Sequence, residues 1–245
     1  MRGWLAAGDL DIRCLGDFCE MGTCKHFNNL LNKFPDDEIF TEDTQKVSFL
    51  NGYIYNKEDY MDGISQSWPE VFTESLQKNV AESLKKLRGG FCGYIFDKQN
   101  GRLTAYADQS GVKALYYYVN GRQWILSDHL DYMVEVLKAN RLLFDFNPLA
   151  AKYMLTYGYM IDGSTFIKQI HRLLPGKYLC IESGEATVTR YHFINNVEKQ
   201  MTEREAVEKI DASFREAIRR EFEKDKEYNY RHLVDLSGGL DSRMV

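Results

Sequence analysis

Arg88-Gly89-Gly90-Phe91-Cys92-Gly93-Tyr94-Ile95-Phe96-Asp97 is a glycine-studded apolar run, and Asn100-Gly101 turns it back into Leu103-Thr104-Ala105-Tyr106-Ala107. β-Branched and aromatic residues favour a pleated backbone. Asn-Gly is the strongest short hairpin signal, because a type I′ turn needs φ > 0 at both central positions. Downstream, Asp108-Gln109-Ser110-Gly111 turns again, Val112 to Val119 follows as an aromatic-rich strand, and Asn120-Gly121 leads into Gln123-Trp124-Ile125-Leu126-Ser127. Upstream, Asn51-Gly52 reads as a further hairpin between Val47-Ser48-Phe49-Leu50 and Tyr53-Ile54-Tyr55-Asn56. Strands joined by such turns pair antiparallel, so the fold class is α+β, with layered antiparallel sheets and helices.

The helices fall around these strands. Val71, Phe72, Leu76, Val80, Leu84 and Leu87 repeat at helical spacing and predict one helix over Val71 to Leu87. Leu149 to Tyr157 reads as a helix with Pro148 in its first turn. The first 45 residues show no long periodicity, and His26 to Leu31 is expected to form one short helix. His171 to Leu179 is a turn feeding a strand, and Glu182-Ser183-Gly184-Glu185 turns it into Ala186 to Tyr191. A polar linker, Asn195 to Gln200, precedes a new unit, which opens with the capping box Thr202-Glu203-Arg204-Glu205. Val207, Ile210, Phe214, Ile218 and Phe222 then mark one helical face.

A different chemistry stands near the carboxyl end: Leu233-Val234-Asp235-Leu236-Ser237-Gly238-Gly239-Leu240-Asp241-Ser242. The apolar start predicts a buried parallel strand. The glycines let successive N–H groups turn to one point, Ser237 and Ser242 add hydroxyls there, and a following helix would add its N-terminal dipole. That is a cradle for phosphate. A carboxylate beside phosphate needs a cation between them, so Asp241 predicts Mg²⁺ bridging to a pyrophosphate. The Lys of a Walker loop and the Gly-x-Gly-x-x-Gly of dinucleotide folds are both missing. An α/β nucleotide domain needs several more βα units to bury that strand, so the sequence is expected to be truncated.

The bulk numbers narrow the function. The chain has 245 residues and a formal net charge of −5, which argues against a nucleic-acid grip. There is no apolar run near the length of a membrane span and no charged-then-apolar export signal, so a cytoplasmic location is expected, with reduced thiols. Cys14, Cys19 and Cys24, with His26 nearby, are not spaced as a zinc ribbon and read as small side chains. Cys92 and Cys180 read as core thiols.

The Ser237 to Ser242 string resembles the pyrophosphate loop of N-type ATP pyrophosphatases, and the order of motifs resembles glutamine-dependent asparagine synthetase. Leu50 to Asn56 is similar to that family's V-N-G-E-I-Y-N, and Leu87 to Phe91 followed by Phe96-Asp97 to its L-x-G-M-F-A-F-A-L-Y-D. Asp108 to Tyr116 resembles R-D-x-x-G-x-x-P-L-Y, and Leu173 to Leu179 resembles L-P-P-G-x-x-L. The resemblance implies a class II glutaminase domain with an Ntn-hydrolase-like fold over residues 1–199, and the start of an ATP pyrophosphatase domain over 200–245. It implies ATP and Mg²⁺ at Leu236, Ser237, Gly238, Gly239, Leu240, Asp241 and Ser242, with Asp241 toward the metal. It further implies amide formation from aspartate through an acyl-adenylate, with AMP and pyrophosphate released. Ammonia or glutamine would supply the nitrogen, with no nucleic acid or membrane as partner; a homodimer is compatible with it. In the glutaminase half it implies an oxyanion hole from Asn51 and Gly52 and an N-terminal Cys nucleophile acting with its own α-amine.

The sequence departs from that pattern in the glutaminase half. The chain reads Met1-Arg2-Gly3, with no Cys. The Glu that follows N-G, which holds the glutamine amino group, is Tyr53, and the G-S-D-x-E string has no match in Gly63 to Glu70. The expectation is a ligase whose glutaminase half is inactive. Two alternatives stand beside it: a relative that closes another adenylated carboxylate onto an internal amine, as β-lactam synthetases do, and a non-catalytic partner-binding homologue.

Overall fold

Every residue of Trp4–Gly8 (β1) is buried, because its alternate side chains serve two different apolar layers. Trp4 and Ala6 face one cluster, Leu5 and Ala7 another. A computed structural model describes residues 2–61, 63–195, 197–234 and 239. The chain divides into two units, Met1–Phe193 and Ile194–Val245.

In the first unit β1 lies inside a six-stranded sheet with His171–Arg172 (β10), Tyr116–Asn120 (β8), Gln123–Ser127 (β9), Cys24–Asn28 (β3) and Cys19–Met21 (β2), ordered β10-β8-β9-β1-β3-β2. The second sheet takes Glu185–Arg190 (β12), Lys177–Glu182 (β11), Leu103–Ala107 (β7), Gly89–Asp97 (β6), Lys46–Ile54 (β5) and Ile39–Glu42 (β4) in that order. All the pairings are antiparallel. Trp4, Phe49, Tyr94 and Phe96 fill the space between the sheets. Fully burying a side chain of this size stabilises by roughly 2–3 kcal/mol.

Short helices cover the outer faces. Glu58–Met61 (α1), Trp68–Lys78 (α2) and Val80–Lys86 (α3) lie on the second sheet, where Phe72, Leu76 and Leu84 meet Leu50, Phe91 and Ile95. Leu130–Ala139 (α4) lies on the first, with Met133, Val136 and Leu137 against Leu5 and Ile125. The result is helix, sheet, sheet, helix, which is the layered α+β arrangement the turns predict. Pro148–Tyr157 (α5) forms as expected, capped by the Asn147 side chain on the Ala150 N–H.

Five local expectations are corrected. Asn51-Gly52 is no hairpin: β5 runs straight through it, with Asn51 opposite Cys92 and Gly52 opposite Phe91. Gly52 is there for closeness, since a Cβ on it would lie 2.1 Å from the Gly90 carbonyl oxygen. The predicted Val71 to Leu87 helix is two helices, because Asn79 leaves helical geometry and its side chain accepts from the Glu82 N–H, capping α3. His26 lies in β3 rather than a helix, held by ladders on both sides. The strand after Asp108 begins only at Tyr116, because the Asp108 carboxylate ties residues 110–113 into a turn. Cys180 is half-buried, whereas Cys92 is in the core.

In the second unit Glu203–Glu227 (α6) starts at the predicted capping box, with Thr202 and Glu205 bonded reciprocally. Its flank carries i,i+4 ion pairs such as Arg215–Asp211 (2.8 Å). Val207 and Ile210 on its apolar face are exposed. Leu233 and Val234, expected to open a buried strand, lie in no strand and are exposed. The described residues supply no neighbouring strands to cover both of its faces. No helix among the described residues is long and apolar enough to cross a membrane.

His26 offers a test of the inter-sheet core. It is 2% exposed, its Nδ1 meets Tyr94 Oη at 3.0 Å, and its Nε2 has no partner. Phe49 and Phe40 pack on the ring at 4.6 and 4.9 Å. Burial lowers its pKa to about 3. The unfolded chain therefore takes up a proton below about pH 6.5 that the folded one refuses. The stabilising contribution is complete above that pH and is lost on acidification toward pH 3. Between pH 7.5 and 5 this should remove about 2 kcal/mol of unfolding free energy. Urea unfolding at both pH values should show that loss in the native chain and a smaller one in His26→Phe.

Candidate functional site

Asn51 and Tyr53 alternate along β5 onto the same face, toward the first sheet, where Asn51 sits opposite the buried Cys92. Asn51 is 1% exposed, and its side-chain oxygen has no hydrogen-bond partner. A buried amide acceptor left unpaired is destabilising and points to a missing donor. Gly52 follows, its backbone pressed against Gly90 and Phe91.

Tyr53 and Val112 close over Gly90. A methyl group there would lie 2.8 Å from Val112 Cγ1 and 3.0 Å from Tyr53 Oη. Phe34 packs edge-on against Tyr53 at 5.8 Å, and Tyr55 lies at 5.0 Å. The surface beside Asn51-Gly52 is therefore aromatic and aliphatic rather than anionic.

Val112 is placed by Asp108. That carboxylate is fully buried at the end of β7. One oxygen accepts from the N–H groups of Ser110 (2.8 Å), Gly111 (2.6 Å) and Val112 (3.1 Å), and the other from Lys113 (3.1 Å). The Asp108 side chain thus organises the turn over the site. The sequence signals the turn but not this role.

The head of β1 is clamped from the end of β9. The Trp4 N–H donates to Asp128 Oδ1 (2.8 Å), the Ser127 hydroxyl to the Trp4 carbonyl (2.6 Å), and His129 Nε2 lies 2.6 Å from the Arg2 carbonyl. The Asn29 N–H closes on the Gly3 carbonyl at 2.9 Å. Burial raises the Asp128 pKa, against the stabilising Trp4 N–H and the nearby His129 and Lys113. Sequence reasoning missed Trp4, Asp128 and His129, since none stands in a motif.

None of the thiols with a resolved shift is activated. Burial pushes Cys24 up to about 12 and raises Cys92 and Cys14 as well. A nucleophilic Cys needs the opposite shift. Cys14 and Cys19 are exposed, while Cys24 and His26 lie inside the sheets. No group of three or more metal-ligating side chains occurs among the described residues. Of the predicted phosphate loop, Leu236, Ser237, Gly238, Leu240, Asp241 and Ser242 lie outside the described residues, and Gly239 is an exposed bend.

Comparison with known proteins shows the family and the fold. A family model described as a glutamine amidotransferase domain matches residues 35–192. Amidase chyE of Penicillium rubens is 24% identical over 258 residues, covering 100% of this chain and 36% of that protein. Asparagine synthetase [glutamine-hydrolyzing] 1 of Bacillus subtilis is 25% identical over 214 residues, covering 83% of this chain and 32% of that protein. The chain thus spans about a third of the length of these curated relatives. Among solved structures, glutamine phosphoribosylpyrophosphate amidotransferase from B. subtilis aligns with a TM-score of 0.51 at 10% identity, over 79% of this chain and 50% of that one. That likeness shows the fold, with its paired antiparallel sheets.

Asn51 and Asp108 should respond oppositely to removal of their polar groups. Asn51→Leu deletes an acceptor without a protein partner and should leave unfolding free energy unchanged, or raise it by up to about 1 kcal/mol. Asp108→Ala strands four N–H groups and should cost about 3 kcal/mol or more. Urea midpoints of the two variants measure this. Equal losses would make Asn51 a structural residue.

Proposed function

The chain belongs to the glutamine amidotransferase domain family, and from that premise we propose that it is the amidotransferase-type part of an asparagine-synthetase-like, ATP-dependent ligase whose own glutaminase pocket does not turn over glutamine. Two curated relatives support the ligase reading by name, the Bacillus subtilis asparagine synthetase and its Methanocaldococcus jannaschii counterpart. The amidases among the relatives share amide chemistry at the level of the bond. In this reading ATP activates the carboxylate of aspartate as an acyl-adenylate, pyrophosphate leaves, and an amine then displaces AMP. Ser237, Gly238, Gly239 and Ser242 would cradle the phosphates and Asp241 the Mg²⁺. Sequence alone carries that assignment.

The observation behind the silent glutaminase pocket is Tyr53 closing with Val112 over Gly90, next to Asn51-Gly52. In the family the residue after N-G is a carboxylate that pairs with the ammonium of glutamine. Here that ammonium would meet a phenol ring and an isopropyl group, and its desolvation would go uncompensated. The raised thiol pKa values of Cys24 and Cys92 point the same way. The same departure favours a second reading, in which a carboxylate other than aspartate is adenylated and closed onto an amine by a β-lactam-synthetase-like ligase.

ATP–pyrophosphate exchange on the whole protein, run against a panel of carboxylates, separates these readings. Exchange that depends on aspartate supports the first, exchange with another acid the second, and no exchange with any acid removes both. Glutamate release from glutamine should stay below about 1 s⁻¹, the low end of ordinary enzyme turnover. Faster release would refute the silent pocket.

A further inference from the structure

The helix-facing side of β5 turns polar before Leu50. Leu50 packs with Phe72 and Leu76 of α2, while Ser48 and Lys46 precede it on the same face. Between these two residues, the end of β4 and the flank of α2 lies a cleft of about 480 Å³, the size of a small-molecule site. Two hydroxyls in it are unsatisfied. Ser48 is 2% exposed and lines the cleft with no hydrogen-bond partner among the described residues. On the α2 side Thr73 Oγ1 is buried and has none either. Buried polar atoms left in this way call for a partner from outside the protein.

Four carboxylates border the same cleft, and each commits a single oxygen. Glu42 Oε1 accepts from Lys98 Nζ (2.5 Å), and Asp43 Oδ1 from the Gln45 and Lys46 N–H groups (2.6 and 2.7 Å). Glu70 Oε2 accepts from the Ser67 N–H and hydroxyl (both 2.8 Å), and Glu74 Oε1 from Gln66 Nε2 (2.9 Å). The second oxygen of each has no partner among the described residues. These acids do not converge as metal ligands. Lys46, beside them, makes no ion pair among the described residues.

We infer that this cleft binds a free amino acid with a basic side chain. Its two cationic groups meet the uncommitted carboxylate oxygens, its carboxylate meets the Lys46 ammonium, and the Ser48 and Thr73 hydroxyls complete the hydrogen bonds. Acids outnumber the one base in the lining, so a ligand with two cations and one anion complements it better than a neutral or acidic amino acid. The cleft is separate from the glutamine pocket, because Ser48 and Asn51 project from opposite faces of β5. The inference therefore stands apart from the ligase reading.

The test is an amide chemical-shift titration of the 245-residue chain with L-lysine at about 20 mM salt, where exposed charges are little screened. Saturable binding with a Kd of about 2 mM or lower is expected. L-Glutamate should bind more weakly, and so should cadaverine, which is lysine without its carboxylate. Glu74→Gln should weaken lysine and cadaverine alike, by about threefold or more. Lys46→Met should weaken lysine by as much and leave cadaverine unweakened. Glu185→Gln, exposed on β12, should change neither, and all three variants should melt as the native chain does. No saturation by about 20 mM lysine, cadaverine or glutamate binding as tightly as lysine, or an equal loss in Glu185→Gln would overturn the inference.

Discussion

The close approach of β5 and β6 at Gly52 is the constraint on which the site depends. With a side chain there the carbonyl of Gly90 would lie 2.1 Å from its Cβ, and the two strands could not stay in register through residue 54. Because they do, Asn51 is carried inward, opposite Cys92, and Tyr53 emerges two residues later on the same face. A hairpin at the same dipeptide would have sent both side chains elsewhere. One missing Cβ thus decides whether this part of the chain is a turn at the rim or the wall of a site.

The second fixed point is the head of β1. A strand buried on both faces cannot leave its end groups unpaired, and the first residues of this chain are bonded by Ser127, Asp128, His129 and Asn29. Trp4 then drops into the inter-sheet layer against Phe49, with ring centroids 4.7 Å apart. Two segments distant in sequence, residues 2–4 and 127–129, are locked to each other. This closure is non-local, and no local preference specifies it.

That distinction explains what the sequence disclosed. Hairpins with glycine at a positive-φ position, such as Gly101 and Gly121, were legible because the turn chemistry is written in the residues themselves. The α6 start was legible for the same reason, in Thr202 and Glu205. Asn51-Gly52 carries the same two letters as a hairpin and does the opposite, because the partner strand brings its own glycines to meet it. β1 escaped notice since Trp-Leu-Ala-Ala-Gly has neither alternation nor length, as a strand buried on both faces need not. The break at Asn79 hides inside an unbroken apolar period that suits two short helices as well as one long one. In the site, Asn51 and Gly52 could be named from resemblance, but the cover of Tyr53 and Val112 could not. It arises where a strand and a turn sixty residues apart meet through the Asp108 carboxylate.

The residues that hold the fold are largely distinct from those that would carry glutamine chemistry. Asp108 spends both carboxylate oxygens on backbone N–H groups, and Asp128 spends one on Trp4, so both contribute through geometry whatever occupies the neighbouring cleft. Tyr53, by contrast, is half-buried at the edge of the site, where its ring packs against Phe34 and Tyr55 and lies over Gly90. A carboxylate at that position would need a cation or water to satisfy it, whereas a phenol ring packs with its neighbours unaided. Replacing one by the other therefore alters what the pocket can bind without loosening the sheets. A fold supported in this way does not depend on which side chain stands at position 53.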